Sequence, residues 1–362
     1  MVTTIVRFGS LAKVLPAVLV ISSAGCSGSA TGVAASPTAT PPAPAVESAG
    51  GGVRDAGFER APSVPETKAA GPSSASVDRP TKRLTVPAAR RYMLALINRD
   101  RATQSLPPVE LDEQAPTTAG QAHAADMARL GYLGHWGSDG SVPEQRHTEA
   151  GGSDMVLENA LCFTDEAKRV VDPKALIDPK EIEKAESMFF DEVPPNDGHR
   201  RNILKRAHTR VGIGVAQSTE TAKELAVPCF AQEFVDGYGS YAALPARAKV
   251  GTKIHVEGTL SSGARPTGVG VARITSPKPI APNELNKRRS YPVPKPFQMY
   301  WGPGFVTPIV AQINGPKLAI DVPLSDNTSG APQAGLYEIS VWAKLGSSDE
   351  QTMVSLRTIV VD

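Results

Sequence analysis

The spacing of apolar residues changes once along this chain, and this change constrains the fold more than any other feature. In three segments between about residues 86 and 190, apolar residues recur three and four positions apart, as they do on one face of a helix. From residue 211 onward they alternate with polar residues, which is typical of strands. Helices followed by antiparallel strands predict an α+β layered domain, and the continued alternation predicts an all-β region after it.

The first folded domain is predicted to span residues 86–243. A first helix is expected to begin near Val86, where Pro87 suits the first turn. Two further helices are expected over Gln114–Leu130 and Glu181–Phe190. Two alternating runs, 211–216 and 229–235, are predicted strands of the same domain.

Residues 245–362 contain short alternating runs separated by Gly and Pro turns. The runs are 253–257, 268–272, 318–322, 337–342 and 354–360. Such a pattern predicts a small all-β sandwich, which we expect to be immunoglobulin-like. Ser276–Gly304 is rich in proline and is expected to form a long loop or an irregular edge. This region holds no catalytic constellation, so we interpret it as an adhesive, spacer or surface-docking module.

Residues 1–25 have the features of an export signal. Arg7 and Lys13 are basic, Val14–Ile21 is an apolar run, and small residues precede Cys26. Small residues before a cysteine resemble a bacterial lipoprotein signal, which would make Cys26 a lipid anchor to an outer membrane or cell surface. The alternative is ordinary cleavage and full secretion.

Residues 26–85 are dominated by Ala, Pro, Ser and Gly. This composition cannot bury enough apolar surface to offset the entropy lost on ordering, so a disordered tether is predicted.

The charge balance argues against nucleic acid as a partner. The chain has 38 Lys and Arg against 37 Asp and Glu. Removal of Arg7 and Lys13 with the signal leaves 36 against 37, a net charge of −1. A chain without a net positive charge lacks the global electrostatic footprint that nucleic acids attract.

Cysteine use agrees with export. Apart from Cys26, the chain contains only Cys162 and Cys229, each in an apolar segment. Because an exported protein can oxidise such a pair, we predict a disulfide, with two buried thiols as the alternative.

Two histidines and two glutamates lie in separate short polar motifs. They are His135, Glu158, Glu192 and His199. Imidazole and carboxylate side chains bind divalent metals and transfer protons near neutral pH. The four would form a polar cleft if the fold brought them together, and would otherwise be ordinary surface residues.

These motifs occur in an order that resembles the CAP superfamily of cysteine-rich secretory, antigen 5 and pathogenesis-related 1 proteins, bacterial members included. The resemblance covers Ala88 to about Val235 and rests on several short segments together. The segments are Leu94–Arg101, Ala122–Ala128, Gly134–His135, Asp139–Gly140, Glu158–Asn159, Gly198–Arg200, Asn202–Leu204, Val211–Val215 and Gln232–Phe234. It implies an α-β-α sandwich around a central antiparallel sheet.

The resemblance also implies a cavity. It places His135, Glu158 and His199 there, and matches Glu192 to a glutamate that follows an aromatic residue, here Phe189. These four would be the ligands of a divalent cation such as Zn²⁺. Supporting cavity positions are expected at His123, Asn159, Arg200, Asn202 and Gln232. Two departures from the family pattern are Leu157, which replaces a glycine, and Phe189, which stands where tryptophan is usual.

Three functions are compatible with these motifs. The preferred one is a binding module of the cell envelope, whose cavity holds a divalent metal, a lipid or another small ligand and whose partner is an envelope lipid, glycan or protein. The second is a metal-assisted hydrolase, in which His135 and His199 hold the ion and Glu158 is the base. The third is a structural scaffold or adhesin with a buried histidine pair. His147, His208 and His255 have no supporting neighbours and are expected at the surface.

Overall fold

The computed structural model describes residues 18–21, 76–221, 226–288, 290–328 and 331–362. Its helices are α1 (Val86–Ala102), α2 (Ala115–Leu130), α3 (Pro143–Glu149), α4 (Pro179–Phe190), α5 (Gly198–Ile203) and α6 (Pro282–Leu285). Its strands are β1 (Val18–Ile21), β2 (Leu84–Thr85), β3 (Glu110–Leu111), β4 (Met155–Phe163), β5 (Leu176–Ile177), β6 (Arg210–Gln217), β7 (Pro228–Asp236), β8 (Gly239–Tyr241), β9 (Arg247–Ala248), β10 (Lys253–Leu260), β11 (Ala264–Ile274), β12 (Gln298–Trp301), β13 (Gln312–Asn314), β14 (Lys317–Pro323), β15 (Gly335–Leu345) and β16 (Gln351–Val361).

A five-stranded sheet with the order β1-β4-β7-β6-β3 forms the centre of the first domain. Strands β4, β7 and β6 are antiparallel neighbours. One face of the sheet shares a core with α1 and α4, and the other shares a core with α2. Phe230 belongs to the first core and Ala231 to the second, as the alternation of side chains along a strand requires. Helices on both faces of a sheet agree with the expected α-β-α sandwich.

Glycines explain how closely α2 approaches this sheet. Gly212 and Gly214 of β6 face the helix, and a Cβ atom on Gly214 would lie 2.1 Å from the carbonyl oxygen of Gly120. Since no side chain fits at this crossing, the alternation of valine and isoleucine with glycine in β6 is a packing requirement.

The predicted disulfide is confirmed. Cys162 and Cys229 are bonded to each other and join neighbouring strands β4 and β7. The bond closes a loop with a sequence separation of 67, for which chain entropy predicts about 4 kcal/mol of stabilisation as an upper value.

The N-terminal limit of the first domain lies earlier than the sequence predicts. Arg79, assigned to the tether, forms an ion pair with Glu183 of α4, and Val77 packs against the core of the domain. Strand β2 pairs with β5. Residues 76–85 are thus part of the folded domain, whereas most of the predicted tether, including Cys26, lies outside the described residues. So does most of the predicted export signal; its Val18–Ile21 segment is β1, antiparallel to β4.

Residues after the first domain form two sheets that share one hydrophobic core. The sheets have the orders β13-β14-β10-β8 and β12-β11-β15-β16-β9. All five predicted runs lie within strands, and Val256, Ile320, Val269 and Ile339 meet in the common core. A β-rich second region is therefore present, and the immunoglobulin-like topology stays a prediction.

The two regions are packed together. Strand β8, which the sequence assigns to the first domain, pairs with β10 of the second region. Leu285 of α6 is fully buried in the core beneath α2, and Asn286 accepts a hydrogen bond from the backbone of Leu133 at 3.0 Å. The described residues from 76 onward consequently belong to one compact unit. No helix in the described part of the chain is long and apolar enough to cross a bilayer.

Candidate functional site: two histidine–glutamate pairs

The four predicted residues come from four different segments. His135 lies in the loop between α2 and α3, and Glu158 lies in β4. Glu192 follows α4, and His199 lies in the first turn of α5. His135, Glu158 and His199 are buried, while the Glu192 side chain is 11 % exposed. The fold organises the four as two pairs, each of one histidine and one glutamate.

In the first pair, Glu158 is held from both sides. Its Oε1 accepts a hydrogen bond from His135 Nδ1 at 2.9 Å, and its Oε2 accepts one from Arg146 Nη2 at 2.7 Å. Arg146 also donates to the backbone oxygen of His135 at 3.0 Å. Burial raises the pKa of Glu158, but the positive charge that His123 carries in acid, the charge of Arg146 and the bond from His135 outweigh it and hold this pKa well below its usual range. Glu158 is therefore a carboxylate.

In the second pair, Glu192 binds both the side chain and the backbone of His199. Its Oε1 accepts from His199 Nδ1 at 2.6 Å, and its Oε2 accepts from the His199 backbone N–H at 2.8 Å. Burial lowers the pKa of His199, while the hydrogen bond and the charge of Glu192 oppose this effect. The imidazole is neutral near pH 7, with its proton on Nδ1.

Both histidines consequently use Nδ1 to bind a carboxylate and leave Nε2 unused. The Nε2 atoms of His135 and His199 are buried and have no hydrogen-bond partner. The two rings lie close enough for His135 to contribute to lowering the pKa of His199. An imidazole whose Nδ1–H is bound to a carboxylate presents its Nε2 lone pair, which is the usual arrangement of a metal-binding histidine.

The glutamates hold positions different from those of direct ligands. Glu158 and Glu192 bind the Nδ1 atoms, on the opposite side of each ring from Nε2. Across the ranges that the structure describes, no group of three or more His, Cys, Asp or Glu side chains is arranged to hold a metal ion. A cation bound here would have the Nε2 atoms of His135 and His199 as its protein ligands.

A chain of side-chain amides connects the elements around the pairs. Asn159 donates to the backbone oxygen of His199 at 3.2 Å and to Gln232 at 3.0 Å. Asn202 donates to Asn159 at 3.0 Å, and Gln232 donates to Glu186 at 2.6 Å. These bonds join β4, α5, β7 and α4, and thereby set the position of His199 relative to Glu158.

The other two expected cavity residues differ from each other. His123 is buried, lies 3.7 Å from Glu158 Oε1 and bonds to the backbone oxygen of Gly134 at 2.7 Å. Burial lowers its pKa to about 4, so it is neutral at pH 7. Arg200 places its guanidinium carbon 4.3 Å from the ring centre of Phe190 and donates to the Phe190 backbone at 2.7 Å. Its side chain thus stabilises the end of α4.

Two charged residues of the site had no signal in the sequence that we recognised. Arg146 lies in α3, which is too short to show a periodicity. Glu233 is paired in register with Glu158, and burial together with the Glu158 charge raises its pKa well above the ordinary value. Its place in the Gln232–Phe234 motif of the predicted strand 229–235 was the available clue.

Two of the three histidines expected at the surface are instead buried. His147 is 1 % exposed and packs against Gly152. His208 is 2 % exposed and bonds to Asp236 at 2.6 Å. The surface prediction was wrong for both because burial here depends on distant segments of the chain, whereas His255 is exposed as predicted.

Comparison with known families agrees with this architecture. The model of the CAP family, described as the cysteine-rich secretory protein family, matches residues 94–234, which contain both histidine–glutamate pairs and the disulfide. A search of curated proteins returned no match. The match identifies the chain as a protein with a CAP superfamily domain over residues 94–234, and the helices on both faces of the sheet are consistent with that domain.

Proposed function

We propose that the CAP domain is a binding module that holds a divalent cation through His135 and His199. The observation that carries this proposal is the pair of buried Nε2 atoms without a partner in the protein. A buried polar atom without a hydrogen bond destabilises a fold, so such atoms on two histidines that interact with each other support a ligand site.

The glutamates would orient the ligands. Glu158 and Glu192 hold the protons on Nδ1 and fix both ring planes. Neutral imidazoles favour Zn²⁺ among the common divalent cations. The bound cation would supply a positive centre for an anionic or polar ligand. Protons compete for the same Nε2 atoms, so affinity falls as the pH is lowered.

A binding role accounts for the geometry better than hydrolysis. A hydrolase would need Glu158 as a base, yet both of its oxygens already accept hydrogen bonds, from His135 and Arg146.

We also infer that the protein acts outside the cytoplasm, at the cell envelope of a bacterium. The Cys162–Cys229 disulfide supports this location because such bonds persist in oxidising compartments. A lipid on Cys26 would tether the protein to the membrane, and the alternative is release after cleavage. Mass spectrometry of the mature N-terminus distinguishes a diacylated Cys26 from an unmodified residue.

Calorimetry with zinc at neutral pH tests the cation site. The wild type should bind, His135→Ala/His199→Ala should not, and Glu192→Gln should bind about 10- to 100-fold more weakly. His255→Ala is the matched control because this histidine is exposed in the β-rich region. No heat with the wild type, or equal heat with the double variant, would refute the proposal.

A further inference from the structure

Exposed apolar side chains are concentrated in one loop of the β-rich region, far in sequence from the CAP domain. We call Gly302–Ala311, which connects β12 and β13, the apolar loop. Phe305 is 60 % exposed, Val310 is 50 % exposed, and Val306 is fully exposed. Ile309 is a further exposed member of the same loop. Other exposed large apolar residues in the described ranges are scattered, at Val170, Leu176 and Val193.

The apolar loop is held in a defined shape by its own hydrogen bonds. Ala311 donates to the backbone oxygen of Trp301 at 2.9 Å, which closes the loop at its base. Thr307 accepts from the Trp301 backbone at 3.2 Å and donates to the Ile309 backbone at 3.0 Å. Trp301 packs against Phe305 with ring centres 5.9 Å apart. A loop with this internal bonding presents its apolar side chains to the outside instead of folding them inward.

The loop is also free of charge. Residues 296–316 contain no Asp, Glu, Lys, Arg or His, although charged residues make up 21 % of the chain. Lysines stand directly on both sides of this stretch, at Lys295 and Lys317, and both are exposed. Charged residues are the main obstacle to entering a bilayer, while lysines beside an apolar segment suit anionic headgroups.

We propose that the apolar loop docks the protein on a lipid surface. Phe305 and Val306 enter the boundary of the acyl chains and Trp301 lies at headgroup level, while Lys295, ahead of β12, and Lys317, at the start of β14, add electrostatic attraction to anionic lipid. A protein partner fits the observations less well, because a specific interface buries about 800 Å² per partner. A single projecting loop with four exposed apolar side chains is better suited to entering a soft surface than to covering a second folded protein.

The strength of this contact follows from its size. Burial of a few apolar side chains gains less free energy than insertion of a long acyl chain, and one acyl chain by itself gives only reversible membrane binding. The apolar loop should therefore produce weak, reversible adsorption that depends on anionic lipid. This inference does not depend on the cation site, since His135 and His199 lie in the other region.

Vesicle co-sedimentation tests the proposal, with the full chain carrying Cys26→Ser so that no acyl anchor contributes. The vesicles contain equal parts of phosphatidylcholine and phosphatidylglycerol, or phosphatidylcholine alone. Phe305→Ser/Val306→Ser should lower the partition coefficient by about tenfold or more. Val170→Ser/Val193→Ser is the matched control and should leave it unchanged. Lys295→Gln/Lys317→Gln should remove the preference for phosphatidylglycerol.

A second readout reports the depth of the loop. Tryptophan fluorescence should shift to shorter wavelength when vesicles are added, and Trp301→Phe should abolish the shift. Equal partition of the wild type and Phe305→Ser/Val306→Ser, or no binding by either, would overturn the proposal. A concentration-dependent dimer that the same variant abolishes, without vesicle binding by the wild type, would assign the loop to self-association instead.

Discussion

The histidine–glutamate pairs of the CAP domain and the apolar loop of the β-rich region distribute polarity in opposite ways. In the CAP domain, charged side chains such as Glu158 and Arg146 are buried and bonded to each other. In the apolar loop, large apolar side chains such as Phe305 and Val306 are exposed and contact little of the protein. Each reverses the usual rule that apolar groups lie inside and charges outside.

The two reversals have different consequences for stability. A buried charge destabilises the protein strongly once its partner is removed, so substitutions in these pairs should lower the free energy of unfolding. An exposed apolar side chain makes few contacts within the protein, so substitutions in the apolar loop should change the free energy of unfolding very little. Substitutions should therefore affect folding in the first region and binding in the second.

The largest effect is expected for Arg146→Met. Loss of the guanidinium leaves Glu158 buried with one charged partner fewer, and breaking a buried ion pair destabilises by about 3–5 kcal/mol. Urea denaturation measures the change. Arg79→Met is the control because its pair with Glu183 lies at the surface, where little change is expected. If both variants changed the unfolding free energy by the same small amount, the buried pair would have no special role.

Loss of the disulfide should have the next largest effect. Cys162→Ser/Cys229→Ser removes the constraint between β4 and β7 and should lower the unfolding free energy by about 2–4 kcal/mol. Denaturation of the wild type with reductant should give a similar value, while reductant should not affect the variant. A variant as stable as the oxidised wild type would show that strand pairing alone holds β4 and β7 together.

Lowering the pH should reduce the stability of the wild type because of the buried side chain of His147. Burial lowers its pKa to about 4, against an opposing effect of Asp112 and with a supporting effect of Arg210. The stability contributed by this neutral histidine is fully present above its unfolded pKa of about 6.5 and is lost as the pH falls toward about 4. Between pH 7 and pH 5, the wild type should lose about 2 kcal/mol more than His147→Gln.

Denaturation curves at the two pH values give this difference directly. His255→Gln is the control, since this histidine is exposed and should follow the wild type at both values. A constant difference between the wild type and His147→Gln would mean that His147 does not resist protonation in the folded state.

The smallest effect on folding is expected for Phe305→Ser/Val306→Ser. Both side chains are exposed, so the unfolding free energy should stay within about 0.5 kcal/mol of the wild type. Phe189 lies in α4 and is fully buried in the core shared with α1, so Phe189→Ala should instead lower the unfolding free energy by about 3–5 kcal/mol. Thermal and urea denaturation compare the two, and a large loss at Phe305 would remove the contrast between the regions.

Local pattern was enough to predict most elements. The bounds of α2 and α4 lie within two residues of the predicted helices, because each has one apolar face toward the sheet. Strand β4 was not predicted as a strand, although its Glu158–Asn159 motif was recognised. Almost all of its residues are buried, so apolar and polar positions do not alternate along it.

The candidate site, too, was only partly predictable from the sequence. Short motifs predicted that His135, Glu158, Glu192 and His199 come together, and the structure pairs each histidine with one glutamate. The order of residues in the sequence could not predict that each glutamate binds the Nδ1 atom of a histidine. This contact depends on how β4, α5 and the loops that carry His135 and Glu192 pack together.

The sequence by itself determined the helical and strand periods, the family motifs, the uncharged stretch between Lys295 and Lys317 and the supply of two cysteines. These properties depend on composition and on spacing over a few residues. Tertiary structure alone decided that Arg146 meets Glu158, that His147 and His208 are buried, and that Leu285 enters the core of the CAP domain. Such contacts join segments far apart in the chain, and burial and hydrogen bonding there depend on how whole elements pack.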